Sequence, residues 1–302
     1  MDRFQGLQVF VKVAELGGFA SAARDLGLSP PGVTRAVSAL EERLGTRLFV
    51  RTTRSVRLTE SGQRFLFDAR RILSDLTEAE EAAIGLHATP RGQLRITAPV
   101  LFGRMYVTPI LGDYLDQYPE VNAEALFVDR VVNMMDEGLD VAVRIGELPD
   151  SSLSAIRVGH VRRVMFASPD YLEKHGRPHK PQDIADHRLI HSLAISATTD
   201  WAFQDKGKPL SVPGTERLRI NTNDAVIELA LRGWGLSRLM SYQVAPWLAD
   251  GRLQTLLEDY EPAPLPIHII HGQGRQVSAK IRSFVDFMVE RLRADAALNP
   301  AG

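Results

Sequence analysis

The chain has 302 residues, 44% of them hydrophobic, with 36 Lys and Arg against 37 Asp and Glu and no cysteine. That length suits two modest domains or one large one, and the apolar fraction excludes wholesale disorder. The missing cysteines exclude disulfide scaffolds, thiolate catalysis and cysteine-ligated zinc or iron–sulfur sites. The net charge of -1 hides an asymmetry: residues 1–64 carry +4 and the remainder -5. From Arg43 to Arg64 there are six arginines and one acid, Glu60. A short basic region on a mildly acidic body fits polyanion contact through the N-terminal part. No signal-peptide pattern opens the chain and no run of 18 apolar residues occurs, so the expectation is a cytoplasmic protein with no membrane partner.

In chain order, Phe4, Leu7, Phe10, Val11, Val13 and Ala14 recur at helical spacing, and Gly17–Gly18 end that helix. A second short helix places Phe19, Ala22, Ala23 and Leu26 inward, the alanines permitting a close helix crossing. Gly27 supplies a position where positive φ costs little. Ser29 is an N-cap and Pro30 an N1 residue for a third helix to about Leu44, burying Val33, Val37, Leu40 and Leu44. Its polar side carries Thr34, Arg35 and Ser38, and its N-terminal amides are expected to favour phosphate. This is a helix-turn-helix. Leu48–Val50 and Val56–Thr59 read as a two-stranded wing around Arg51, Thr52, Thr53, Arg54 and Ser55. Arginine forks and threonine hydroxyls match phosphate oxygens. Thr59 then caps a helix to about Ala88, whose stripe Phe65, Ala69, Ile72, Leu73, Leu76, Ala79, Ala83 and Leu86 predicts a partner helix from a second chain.

The run FQGLQVFVKVAELGGFASAARDLGLSPPGVTRAVSALEERLGTRLFVRTTRSVRLTESG, residues 4–62, resembles the DNA-binding domain of the LysR-type transcriptional regulators. The resemblance implies double-stranded DNA with an inverted-repeat operator as partner, and self-association as a dimer or tetramer. The DNA-binding residues it and the pattern nominate are Ser29, Pro31, Thr34, Arg35, Ser38, Arg51, Thr52, Thr53, Arg54 and Arg57. The family commonly has glutamine where Pro30 stands, and alanine or serine at Gly32. A bidentate adenine contact is impossible for proline, so base readout shifts to Pro31, Thr34, Arg35 or their neighbours.

Thr89–Gly92 reads as a hinge. Beyond it come a strand Leu94–Thr97, a helix from about Phe102 to Gln117, a strand Val121–Phe127, a helix around Val131–Glu137 and a buried strand Val141–Val143. This alternation predicts an α/β body with a parallel sheet. Later strands are expected at Ile156–Arg157, Val164–Ala167, Trp201–Phe203, Leu218–Ile220, Gly235–Ser237 and Ile267–Ile270, with a terminal helix Val277–Leu292. The phrases LRITAP, DVAVRIG, ASPDYLEKHGRP, GRLQTLLEDY and SAKIRSFVDFMVERL resemble the same family's effector-binding domain. The implied fold is an all-α winged helix-turn-helix with a long linker helix, then an α/β, two-lobed, periplasmic-binding-protein-like domain. The implied boundaries are 1–61, a linker helix 62–88, a hinge 89–93, and an effector domain 94–302 whose lobe one is 94–162 with 267–302 and lobe two 163–266.

A small-molecule effector, and no cofactor, is expected in the cleft at the strand C-termini. Candidate contacts are Thr97, Pro99, Val100, Leu101 and Phe102; Arg144 and Gly146; Thr198, Thr199 and Trp201; and Asn221, Asn223 and Asp224. The apolar loop before Phe102 suits an apolar effector, with a carboxylate near Arg144. No metal is expected: His175, His179, His187 and His191 have ligand-like spacing but no acid–histidine motif accompanies them. No GxSxG elbow, P-loop or GxGxxG opens a βα unit, so the chain does not read as an enzyme. The alternative from the residues alone is a soluble α/β ligand-binding protein whose winged domain grips another protein.

Overall fold

Apolar spacing and two glycine stops break the N-terminal segment into short helices. The computed structural model describes residues 2–51, 56–84, 89–148, 153–194, 200–214, 217–272 and 277–299. It divides near residue 90 into two compact units, each taken by itself below.

In the first unit, α1 (Arg3–Leu16) buries Leu7, Val9, Phe10, Val11 and Val13. Phe4 is 39% exposed, since it lies one turn before the point where α1 meets its neighbours. Helix α2 (Phe19–Asp25) buries Ala22 and Ala23. Gly27 adopts φ +63°, which lets Leu28 donate its amide to the Ala23 carbonyl at 2.9 Å and close the turn. Helix α3 (Pro30–Leu44) starts on Ser29, whose Oγ accepts the Gly32 amide at 3.2 Å. Val33, Val37 and Leu40 are buried as expected; Leu44 is not, being 39% exposed in the last turn. Strands β1 (Phe49–Arg51) and β2 (Val56–Leu58) pair antiparallel as the wing. Helix α4 (Glu60–Ile84) follows. Part of its apolar stripe packs at home rather than awaiting a second chain. Phe65, Leu66, Ala69 and Leu73 join the core of their own unit, with the Phe65 ring 5.4 Å from Phe10. Ile72 faces outward, 37% exposed.

In the second unit, β3 (Gly92–Ala98) leads through α5 (Val100–Phe102) and a π-helical turn (Gly103–Val107) into α6 (Thr108–Gln117). Then come β4 (Val121–Phe127), β5 (Val141–Ile145), β6 (Ser154–Val161), β7 (Arg163–Ala167), α7 (Pro169–His175) and β8 (Leu189–Ser192). The hairpin β9 (Asp200–Asp205) and β10 (Lys208–Pro213) precedes β11 (Leu218–Ile220), α8 (Asn223–Leu231), β12 (Leu236–Met240) and α9 (Ser241–Ala249). The chain closes with β13 (Gln254–Leu256), β14 (Leu265–His271) and α10 (Ala279–Ala294). One sheet has the order β4-β3-β5-β14-β6, the other β11-β8-β12-β7-β13.

Three expectations are corrected. Each sheet is mixed rather than parallel: β14 runs antiparallel to β5 and β6, and β7 antiparallel to β12 and β13. The reason is that β14 and β7 enter from the other sheet rather than through a crossover helix of their own. The segment 131–137 is a turn, not a helix. The Asn133 carboxamide accepts the Met135 amide at 3.1 Å and donates to Asp136 at 2.7 Å, a local alternative to helical pairing. Val131 and Met135 are left 92% and 70% exposed. Finally, the helix placed near Phe102 begins at Val100, and Leu101 and Phe102 point into the core.

Gly62 marks the tightest approach in the winged unit: a β-carbon there would lie 2.1 Å from the Leu48 carbonyl oxygen. Gly6, inside α1, has nothing within 4 Å of that position. Gly62→Ala should therefore cost about 1–3 kcal/mol through forced backbone movement. Gly6→Ala should gain roughly 0.5–1 kcal/mol from helix propensity. Opposite shifts of the urea midpoint, followed by circular dichroism, are the expected result.

Candidate nucleic-acid interface and effector cleft

One face of α3 is sealed in the core and the other is open. Pro31, Arg35 and Arg43 are exposed, while Thr34 and Ser38 are half-buried at the margin. The Thr34 hydroxyl donates to the Pro30 carbonyl at 3.1 Å, leaving its lone pairs for an outside donor. On the wing, Arg57 is exposed opposite Val50. Arg51 belongs to β1, but its side chain and the whole of Thr52, Thr53 and Arg54 lie outside the described residues. The start of α3 carries few free amides. Pro30 and Pro31 carry no N–H, the Gly32 amide is held by Ser29 Oγ, and the Val33 amide by the Ser29 carbonyl at 3.1 Å. Hydrogen bonds offered at this helix start come from side chains.

The residue that sequence reasoning missed is Glu41. It is 4% exposed, and its Oε1 accepts the amides of Leu48 at 2.8 Å and Phe49 at 3.1 Å. Its Oε2 accepts from Arg47 Nη1 at 3.2 Å. This carboxylate holds the entry to the wing against the recognition helix. Thr59 completes the join: its hydroxyl donates to the Arg47 carbonyl at 2.7 Å and accepts the Gly62 amide at 2.9 Å. The only sequence signal was an acid four residues after Val37, a helical spacing that turns it inward.

In the α/β unit a cavity of about 180 Å³ lies where strand ends of the two sheets meet. Of the expected effector residues it brings together Pro99, Arg144 and Asn223. Thr97 is fully buried beside them, its Oγ1 without a partner. Val100 opens α5, but its amide is taken by Asp129 Oδ1 at 3.0 Å. Leu101 and Phe102 serve the core, and Gly146 ties its amide to the Pro266 carbonyl at 2.9 Å. Trp201 is buried in the second lobe, beneath the Arg238 guanidinium 5.1 Å from its ring. Asn221 is exposed. Asp224 pairs with Arg104 at 2.9 Å, a link between the lobes whose partners are both about half exposed, 50% and 57%. Thr198 and Thr199 lie outside the described residues.

Ile145, inside the expected stretch from Arg144 to Gly146, also lines the cavity; the lining that went unforeseen is Val128, Asp129, Arg130 and Val131 after β4, Ala194, and Met240, Tyr242 and Gln243 at the β12–α9 junction. The rule of strand C-termini, applied to the strand at 121–127, would have found the first four. Burial raises the Asp129 pKa against the opposing Val100 amide, with the charge of Asp224 adding to the rise. Burial likewise pushes the Tyr242 phenol up, and the Tyr106 phenol to about 12. Burial pulls the Arg144 guanidinium down, while Glu137 supports its charge. Among the described residues no three His, Asp or Glu side chains gather as a metal site. His175 stacks on the Tyr171 ring at 4.5 Å and His187 Nδ1 lies 3.3 Å from its hydroxyl.

The family profile described as LysR substrate binding domain matches residues 87–293, and that of the bacterial regulatory helix-turn-helix protein, lysR family, matches residues 4–63. The chain belongs to the LysR family. This LysR-type regulator is 36% identical over 295 residues to an HTH-type transcriptional regulator of Xanthomonas campestris pv. campestris, covering 95% of this chain and 85% of that one. It is 32% identical to the HTH-type transcriptional regulator CrgA of Neisseria meningitidis serogroup C, covering 95% and 96%. The solved structure of CrgA from Neisseria meningitidis superposes with TM-score 0.62 at 30% identity over 95% of this chain and 98% of that chain. The full-length virulence activator AphB of Vibrio cholerae gives TM-score 0.62 at 26% identity over 96% and 99%. The chain is thus a DNA-binding transcriptional regulator with an effector-binding α/β domain, not an enzyme. LysR-type regulators generally bind DNA and oligomerise. Among the described residues no helix is long and apolar enough to cross a membrane.

Truncating Glu41 leaves two buried amides without acceptors, each costing about 1–3 kcal/mol. Glu41→Ala should lower the stability of the winged unit by about 2–4 kcal/mol, and Glu41→Gln, which keeps one acceptor oxygen, by less. Urea unfolding of the two variants beside the parent checks the order.

Proposed function

We propose that α3 and the wing read an inverted-repeat operator, that chains pair through α4, and that a small molecule held in the lobe cleft sets the affinity. On this reading residues 1–61 are the DNA-binding domain, 62–88 the linker helix, 89–93 the hinge and 94–302 the effector domain. Arg35, Thr34, Pro31 and Ser38 face base edges, with Ser29 fixing the helix start. Arg51, Thr52, Thr53, Arg54 and Arg57 hold phosphate. The effector contacts Pro99, Arg144 and Asn223 together with Asp129, Met240 and Tyr242, while assembly of dimers into tetramers brings two operator halves under one control. The observation that carries the reading is the exposed polar face of α3, with Arg35 in solvent while Val33, Ala36, Val37 and Leu40 behind it are buried.

Selection of genomic fragments by the purified protein yields the operator on which the claim is tested. Against that duplex, log Kobs should fall linearly with log salt concentration at about -0.9 per phosphate contact. Arg35→Ala should weaken the matched duplex by about 1–3 kcal/mol and the scrambled duplex far less. Arg57→Ala should weaken both alike and flatten the salt slope by about one contact. Equal losses on both duplexes for Arg35→Ala would overturn the assignment of base contact to α3.

A further inference from the structure

The lobe cavity holds two arginines, and only one of them is matched. Arg130 forks onto Glu137, with Nη1 to Oε1 at 2.8 Å and Nη2 to Oε2 at 3.0 Å. That fork commits the acid whose field reaches Arg144. Asp129, the carboxylate lining the cavity, is engaged by the Val100 amide. Arg144 itself donates from Nη1 to the neighbouring Val143 carbonyl at 3.1 Å, and its Nη2 is enclosed without an acceptor. Its register partner on β14 is His268, which shares that face of the sheet and whose Nδ1 is also enclosed without a partner. Neither position brings a carboxylate. A guanidinium keeps its proton in such surroundings, so Arg144 presents a positive charge and an unused donor.

The remaining walls are of another kind. Pro99, Val128, Ile145 and Met240 give the cavity hydrocarbon surface, and Val131 at its edge is 92% exposed. A volume of about 180 Å³ gives room for a single small ring or short chain rather than a nucleotide. We infer that the cleft takes a small monocarboxylate with an apolar body, its carboxylate seated against Arg144 and its hydrocarbon against Met240 and Val131. A second carboxylate on the same body would meet Asp129, and the other lining cation, Arg130, is already forked onto Glu137, so a dicarboxylate of equal size is rejected. A bidentate anion completes the donor set of Arg144 in the way carboxylates pair with guanidinium elsewhere. This assignment rests on the reading of the cleft as the effector site and names the class of molecule it selects.

The test uses the full-length protein and six probes measured by calorimetry: hexanoate and benzoate, their amides hexanamide and benzamide, and the dicarboxylates adipate and terephthalate. At least one monocarboxylate should bind about tenfold or more tightly than both its amide and its dicarboxylate counterpart, as expected for a charge-assisted hydrogen bond. Arg144→Met should erase that preference and Arg144→Lys should keep part of it. Each variant's melting transition without probe reports whether it folds. If Arg144→Met does not fold, Arg144→Lys alone carries the test, and an undiminished preference there counts against the inference. An amide binding as tightly as its acid, or a preference that survives Arg144→Met, overturns the inference. Amide binding that is lost in Met240→Trp would leave the cleft as the effector site and strike out only the charge assignment. No binding by any of the six overturns both.

Discussion

Strand β14 lies between β5 and β6, pairing with β5 along Ile267–His271 and with β6 along Leu265–His271. The chain leaves the first sheet after β6 and returns as β14 only when the second sheet is complete. This interlacing sets where the cleft falls. In the first sheet β3, β4 and β5 run parallel, and in the second β8, β11 and β12 do. The C-terminal ends of these strands and the segments that follow them supply Pro99, Asp129 and Ile145 from one lobe and Ala194, Asn223 and Tyr242 from the other. Irregular backbone at strand C-termini is free to converge on a ligand, while the strands behind it are held by their ladders. The lobes are closed toward one another by side chains as well as by chain crossings, with Arg104 on one and Asp224 on the other.

The winged unit solves a different problem with similar economy. Its wing is a pair of three-residue strands, too short to stand alone in water. Glu41 takes the amides at the start of β1, and Thr59 ties the end of β2 to the Arg47 carbonyl and the first turn of α4. Gly62 allows α4 to close on the Leu48 carbonyl, to which the Thr59 amide donates a hydrogen bond at 2.9 Å. Recognition helix, wing and linker helix are thereby fastened through one small knot of backbone. The aromatic trio Phe10, Phe49 and Phe65, with ring centroids 5.3 Å and 5.4 Å from Phe10, fills the space behind it.

Much of this was legible in the residues because it is decided locally. The spacing of Val33, Val37 and Leu40, the Ser29 cap and the Gly27 turn each act within a few residues, and the helix-turn-helix follows from them. The strand at 121–127 was placed to the residue. What escaped depends on partners distant in sequence or on competing local bonds. The direction of β14 is set by strands more than a hundred residues earlier. The helix expected at 131–137 lost to the Asn133 side chain. Glu41 looked like one more surface acid until the amides of 48 and 49 were brought to it. A quarter of the cleft lining, Met240, Tyr242 and Gln243, came from the junction after β12, where the sequence shows only an apolar strand meeting an apolar helix.

The two prolines that open α3 have a consequence for how this regulator changes over generations. A phosphate clamp made of backbone amides is inherited with the fold and survives nearly any substitution at its position. Here that clamp is missing: two amides do not exist and the next two are spoken for by Ser29. What the helix start offers to any partner therefore rests on side-chain identity at exposed positions such as Pro31 and Arg35, where substitution leaves the core untouched. Single codon changes can therefore reshape the surface of this helix start without cost to its fold.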